Sequence, residues 1–280
     1  MKIHHLNCGT LCPAGGRLFD GTSDRPFAHL VCHCLLIETE AGLVLVDTGF
    51  GTRDVDHPDR RLSEFFRGLC NPQLRHEETA LAQVQALGFA ASDVRHIVLT
   101  HLDFDHAGGI EDFPQAAIHL TAREKEVAEA QDGGAFVGTR RYRPQQWDEA
   151  SDWRLYPFGG GERWFGFDAV RDLDGLSPEI LLVPLAGHTW GHAGVAIREA
   201  DGWLLHAGDA YFYRGEVGAQ DYSCPPLARG YQRLMEVDRA ARLANQARLR
   251  RLSLDRAQEV RMFCAHDVVE FDILARQAAA

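Results

Sequence analysis

No apolar run in this sequence approaches the roughly 20 residues that a membrane-crossing helix needs, so no membrane partner is expected. The opening Met1-Lys2-Ile3-His4-His5-Leu6-Asn7 lacks a signal-peptide core and reads as a first strand. A cytoplasmic location is the resulting expectation. Positive charge is also scarce: 29 basic against 40 acidic side chains leave a net charge of −11. A surface of that sign repels phosphate backbones, which argues against nucleic acid as partner or substrate. No short repeat and no low-complexity linker is present. The seven cysteines (8, 12, 32, 34, 70, 224 and 264) are odd in number and share no spacing. They therefore read as reduced, mostly buried thiols and not as a disulfide framework. Cys32-His33-Cys34 has a metal-binding look, but alternate residues of a strand share a face, so core thiols are expected there.

What is present is ordinary globular composition, 45% hydrophobic and 25% charged. Strand patterns appear over Ile3–Leu6, Leu30–Glu38 and Leu43–Asp47, the last two joined by the turn Thr39-Glu40-Ala41-Gly42. Polar, Pro-broken sequence covers 51–76. Helical spacing of Leu81, Val84 and Leu87 predicts a helix over Glu77–Leu87, closed by Gly88. The short strand Ile97-Val98-Leu99 runs into His101. Beyond it a strand is predicted over Ala117–Leu120 and a helix over Ala122–Gln131. Further strands are predicted at Ile180–Pro184, Val195–Arg198, Trp203–His206 and Val260–Cys264, and one long helix over Gly230–Leu252. Strands followed by helix, twice over, predict an α/β fold of αββα sandwich type, with residues 1–280 as one domain. The stretch from about 138 to 170 stands apart, with Trp147, Trp153, Trp164, Tyr142, Tyr156, Phe158, Phe165 and Phe167 broken by Gly159-Gly160-Gly161. Two readings are open for it, a loop packing its aromatics on the domain or a lid and pocket wall.

The densest chemistry lies in Thr100-His101-Leu102-Asp103-Phe104-Asp105-His106-Ala107-Gly108-Gly109. Imidazoles and carboxylates are the side chains that hold zinc, iron or manganese. Capping a helix needs one such residue, not four. Three later positions repeat the setting of a ligand just past an apolar strand: His188 in Gly187-His188-Thr189-Trp190-Gly191-His192, Asp209 after Gly208, and His266 before Asp267. Strand-end loops can bring all four sites to one sheet edge.

These ordered motifs resemble the metallo-β-lactamase superfamily, whose pattern is HxHxDH followed by single His, Asp and His ligands. The likeness runs from Asp47-Thr48-Gly49 to His266 and implies the αββα sandwich and two divalent metal ions. Zinc is the first expectation, with iron or manganese as alternatives. By that resemblance one metal is held by His101, Asp103 and His188, and the second by Asp105, His106 and His266, with Asp209 bridging. His192 and Asp47 resemble supporting residues of the same family. Asp103 departs from the pattern, which has histidine there. As a ligand it makes the set more anionic and shifts preference towards iron or manganese; otherwise it falls short of the metal and that half is weak. The histidines at 4, 5, 29, 33, 57, 76, 96, 119 and 206 match no motif and are read as surface or core residues.

Two metals held close together activate water and polarise the oxygen under attack, so the implied activity is hydrolysis of a small-molecule substrate. Asp105 is the candidate to orient the nucleophile, and Tyr211 or Tyr213 to donate a hydrogen bond to the substrate. An aromatic, uncharged insertion suits a small ester or lactone such as an acyl-homoserine lactone. A glyoxalase II-like thioesterase is the alternative, favoured by arginines at 242, 248, 250, 251 and 256. A mononuclear iron sulfur dioxygenase is a further one. Homodimer formation is left open.

Overall fold

The computed structural model describes residues 1–158, 162–218 and 221–278. Two six-stranded sheets form its centre. The first contains β1 (Lys2–Leu11), β2 (Leu30–Thr39), β3 (Gly42–Val46), β4 (Val94–Val98), β5 (Ala117–Thr121) and β6 (Trp153–Tyr156), side by side in chain order. The second contains β7 (Glu162–Trp164), β8 (Phe167–Asp172), β9 (Ile180–Pro184), β10 (Ala193–Glu199), β11 (Gly202–His206) and β12 (Val260–Phe263), again in chain order across the sheet.

Strand alternation sets the layers. Leu35, Ile37, Val44, Val46 and Val98 face Ile180, Leu182, Val195, Ile197 and Leu204 across the seam between sheets. Their neighbours point the other way: Cys34, Leu36 and Leu45 pack on Ala80 and Val84 of α1 (Ala80–Ala86). Behind the second sheet, Leu181, Val183, Ala196 and Leu205 pack on Leu249 and Leu252. Both faces of β2 and β9 are thus covered, which is why these strands are unbroken apolar runs. Each buried Val, Leu or Ile contributes about 2 kcal/mol by leaving water. Helices outside both sheets complete the αββα arrangement expected for this α/β chain.

Three expectations change. The single helix over 230–252 is two, α4 (Pro226–Met235) and α5 (Arg239–Asp255), to be read with α2 (Phe104–Ala107) and α3 (Ala122–Glu129) before them and α6 (Val268–Ala278) after. Glu236 is extended, and the Asp238 carboxylate caps the new helix by accepting from Ala241 N. The break frees Val237 and Asp238 N–H groups to donate to Gly187 O (2.9 and 3.1 Å), beside His188. Residues 51–76 hold short helices at Thr52–Asp56, Pro58–Arg61 and Glu64–Cys70. The aromatic stretch supplies β6 and β7, the edge strands of both sheets, with Tyr142, Trp147, Tyr156, Trp164 and Phe167 buried. Gly159-Gly160-Gly161 lies outside the described residues.

Candidate metal centre

Strand direction brings the predicted residues together. β3, β4 and β5 are parallel, and in the other sheet β11 and β12 are parallel while β9 lies two antiparallel steps from β11. The C-terminal ends of all six therefore share one edge. From there come Asp47 after β3, His101 to His106 after β4, His188 after β9, Asp209 after β11 and His266 after β12. Gly208 makes the last turn into Asp209 with φ +53, and a Cβ there would lie 2.6 Å from His192 Nε2. Only glycine suits that backbone and that space.

His101, Asp103, Asp105, His106, His188, Asp209 and His266 are all buried at this edge. Asp209 is central. Its Oδ1 lies 3.1 Å from His266 Nε2 and 3.4 Å from His106 Nε2. Its Oδ2 lies 3.2 Å from His188 Nε2 and 3.9 Å from His101 Nε2. One carboxylate thus faces both halves of the cluster. Asp105 closes the first half, 3.7 Å from His266 Nε2 and 4.0 Å from His106 Nε2.

Neighbouring groups set which ring nitrogen is free. His106 Nδ1 donates to Asp47 Oδ2 at 2.8 Å, leaving Nε2 for the cluster. His266 Nδ1 donates to Val31 O at 2.8 Å, with the same result. Asp47 also accepts from Thr100 N and Oγ1. Burial pushes its carboxyl up, but the neighbouring His106 and its hydrogen bond outweigh this and hold it down to about 2. His192 stands behind the cluster, donating from Nδ1 to Leu185 O and accepting Asp209 N–H at Nε2, so it positions Asp209 as a support.

His101 Nε2, His106 Nε2 and Asp209 Oδ1 are buried and make no hydrogen bond. Such atoms are costly unless something binds them, and one donor atom from each of the three residues lies within 4.8 Å of the others. A divalent cation fits this donor set of imidazole and carboxylate. The Asp103 half differs. Asp103 does lie in the cluster, but Arg141 grips both its oxygens, through Nε at 2.6 Å and Nη2 at 2.9 Å. Burial raises the Asp103 carboxyl, and the guanidinium outweighs it, holding the group well below the usual carboxylate range.

The structure engages Tyr211 and Tyr213 with other groups. Tyr211 is fully buried and its hydroxyl donates to Glu270. Tyr213 packs its ring against Gly21 and under the Arg214 guanidinium. Neither hydroxyl is directed at the cluster because Phe212, between them, takes the inward position: its ring stacks on His266 at 5.1 Å and 25°. Tyr231 of α4 does approach. It lines a narrow apolar cavity with Leu11, Phe19, Leu30 and Leu69 that reaches Asp105 and His266, and its hydroxyl lies 3.5 Å from Cys70 Sγ.

Four contributors lie outside the ligand motifs. Arg141 is brought in by the backbone bridge between Asp103 and Tyr142. Glu124 of α3 is buried and accepts from Leu102 N, Thr189 Oγ1 and Gly191 N, tying together the loops that carry His101 and His188. Cys32, read as a core thiol, packs in the core and also comes within 4.8 Å of ligand atoms of Asp105 and His266. Tyr231 is the fourth. The one usable signal was Asp103 itself, an extra buried carboxylate that demands a cation. All seven cysteines are free. Of the unmatched histidines, His5 pairs with His33 and His96 with His119, as structural residues.

The metallo-β-lactamase superfamily profile matches residues 29–250, and the chain belongs to that superfamily. It is 41% identical over 268 residues to a "Probable metallo-hydrolase" of Mycobacterium tuberculosis, covering 95% of this chain and 80% of that protein. It is 31% identical to an N-acyl homoserine lactonase of Bacillus cereus over 42% of this chain and 49% of the lactonase. Its fold resembles that of a B. thuringiensis AiiA variant with N-decanoyl-L-homoserine bound at the active site: TM-score 0.71, 20% identity, 97% of this chain and 95% of that one. The chain is therefore a metallo-hydrolase of this superfamily. Among the described residues no helix is long and apolar enough to cross a membrane.

Proposed function

We propose that this enzyme hydrolyses a small ester or lactone that carries an apolar acyl group. The supporting observation is the set of apolar side chains, Leu11, Phe19, Leu30 and Leu69, that lies beside Asp105 and His266. The space between them, about 10 Å³, holds no more than one water, so an acyl chain would enter by parting these side chains. Likeness to N-acyl homoserine lactonases supports the same substrate class.

His106, His266, Asp105 and Asp209 would hold a divalent cation, with zinc first and iron or manganese as alternatives. When bound, that ion supplies Lewis acidity and activates water at neutral pH. The protein's own groups do the rest. Asp105, at the floor of the cavity, orients the attacking water and carries its proton to the leaving oxygen. The Phe212 ring walls the site and excludes bulk water. The Tyr231 hydroxyl, on α4 beside Cys70, would donate to a substrate oxygen. Water adds to the acyl carbon, the ester C–O bond breaks, and an acid and an alcohol leave; for a lactone both remain in one molecule.

Two of the arginines that would favour a glutathione thioester are engaged elsewhere. Arg242 binds Glu236 and Gln232, and Arg256 binds Glu259. The test is to strip the protein of metal and screen it against lactones, thioesters and phosphoesters before and after adding zinc, manganese or iron. The expected result is metal-restored turnover of acyl lactones or aliphatic esters. Turnover of thioesters alone, or oxygen uptake with iron and no hydrolysis, would overturn the reading.

A further inference from the structure

Arg141 is fully buried, and a guanidinium cannot shed its proton in a protein. It is held from several directions. Nε and Nη2 form a fork on the two oxygens of Asp103. Nη2 also lies 2.7 Å from His188 Nε2, where the neutral ring accepts. Nη1 donates to Met235 O at 2.6 Å, the last residue of α4. Carbonyls at that end of a helix have no partner within it and attract positive charge.

These contacts use up the inward atoms of Asp103 and His188 in one half of the cluster and leave His101 Nε2 open there. His188 Nε2 is the nitrogen that faces Asp209 Oδ2 at 3.2 Å and Asp103 Oδ2 at 3.0 Å, so it is the atom a cation in that half would need. Its lone pair is already given to Arg141. Both Asp103 oxygens are given to Arg141 as well. In the other half, His106 Nε2 and Asp209 Oδ1 have no hydrogen bond at all.

Charge agrees with geometry. Asp47, Asp103, Asp105 and Asp209 bring −4, and Arg141 already returns one positive charge, placed on the half that holds Asp103. A second ion in that half would sit against a guanidinium that has nowhere to go.

We infer that Arg141 is a built-in cation standing in for one of the two metals, so the centre takes up a single divalent ion, in the half formed by Asp105, His106, Asp209 and His266. This rests on the metal-dependent reading above. The departure of Asp103 from histidine and the burial of Arg141 become one feature: a carboxylate placed to receive a guanidinium.

The test is a metal count. Chelator-stripped protein is equilibrated with Zn(II), freed of excess by dialysis, and measured by mass spectrometry of the metal, with circular dichroism to check folding. One zinc per chain is expected in the wild type and two in Arg141→Met, whose side chain keeps the bulk and loses the charge. His188→Gln should keep its one zinc, with affinity changed by less than about threefold, whereas His266→Gln should lose it. Two zinc ions per wild-type chain would overturn the inference. So would loss of zinc in a folded His188→Gln, or a folded Arg141→Met that still binds one. Should Arg141→Met not fold, the wild-type count and His188→Gln decide. No zinc in the wild type would instead remove the metal-dependent reading itself.

Discussion

The two halves of the cluster are built from the same materials and left in opposite states. Around Asp105, His106 and His266, each imidazole has one nitrogen fixed by a neighbour, and the nitrogen turned inward has no hydrogen-bond donor to satisfy. Around Asp103 and His188, Arg141 meets the inward atoms of both residues, and His101 Nε2 beside them is left open. Burial is equal in the two, so burial does not explain the difference. One cationic side chain, set in place by the Asp103–Tyr142 bridge and the end of α4, does. A ligand set can therefore be intact residue by residue and still differ in what it is free to bind.

The comparison can be broken most severely at Asp209, which serves both halves. Asp209→Ala should reduce hydrolysis to background and strip the metal; retention of turnover in that variant would dissolve the proposed site. Asp47→Asn acts on the open half alone, by weakening the hydrogen bond that orients His106. Metal affinity should fall by about 10–100-fold, read by competition with a chelator, with little change in folding. Glu124→Ala acts on the scaffold under both halves. It leaves several buried donors unmet, so unfolding in denaturant should cost roughly 3 kcal/mol less than in the wild type. The smallest effects separate the tyrosines. Tyr231→Phe should lower kcat/KM by up to about tenfold, the worth of one hydrogen bond, and Tyr211→Phe should leave kcat unchanged.

Away from the cluster, Glu270 offers a pH test of the support beneath Tyr211. Burial, reinforced by Asp267, pushes its carboxyl from 4.5 up to about 8. Between those values the folded chain holds a proton that the unfolded chain has released, so stability from this group falls as pH rises. The cost is absent below about 4.5 and complete above about 8. Glu270→Gln should therefore raise the melting temperature more at pH 8 than at pH 5. An equal gain at both would show that the carboxyl titrates normally.

Much of the metal centre was legible because its residues carry their own signals. Each of the seven sits directly after an apolar run, and such runs become strands whose ends share an edge. Asp105, His106, Asp209 and His266 needed no more than that. Arg141 carried no such mark: it lies 38 residues from Asp103 in sequence, in a stretch without helical or strand period, and only the fold makes them neighbours. The tyrosines differ for a related reason. Sequence proximity to Asp209 favours Tyr211 and Tyr213, whereas the turn after β11 stacks Phe212, between them, on His266. The long helix over 230–252 was misread because its apolar face continues across Glu236-Val237-Asp238. What breaks it is partly tertiary, the hydrogen bonds to Gly187 O, and partly local, the Asp238 cap.

The most direct test of the whole account is anomalous scattering at the zinc edge from crystals grown with excess zinc. One peak is predicted, among Asp105, His106, Asp209 and His266, with Arg141 still clasping Asp103. A second peak of equal height between Asp103 and His188, with the guanidinium turned away, would contradict it.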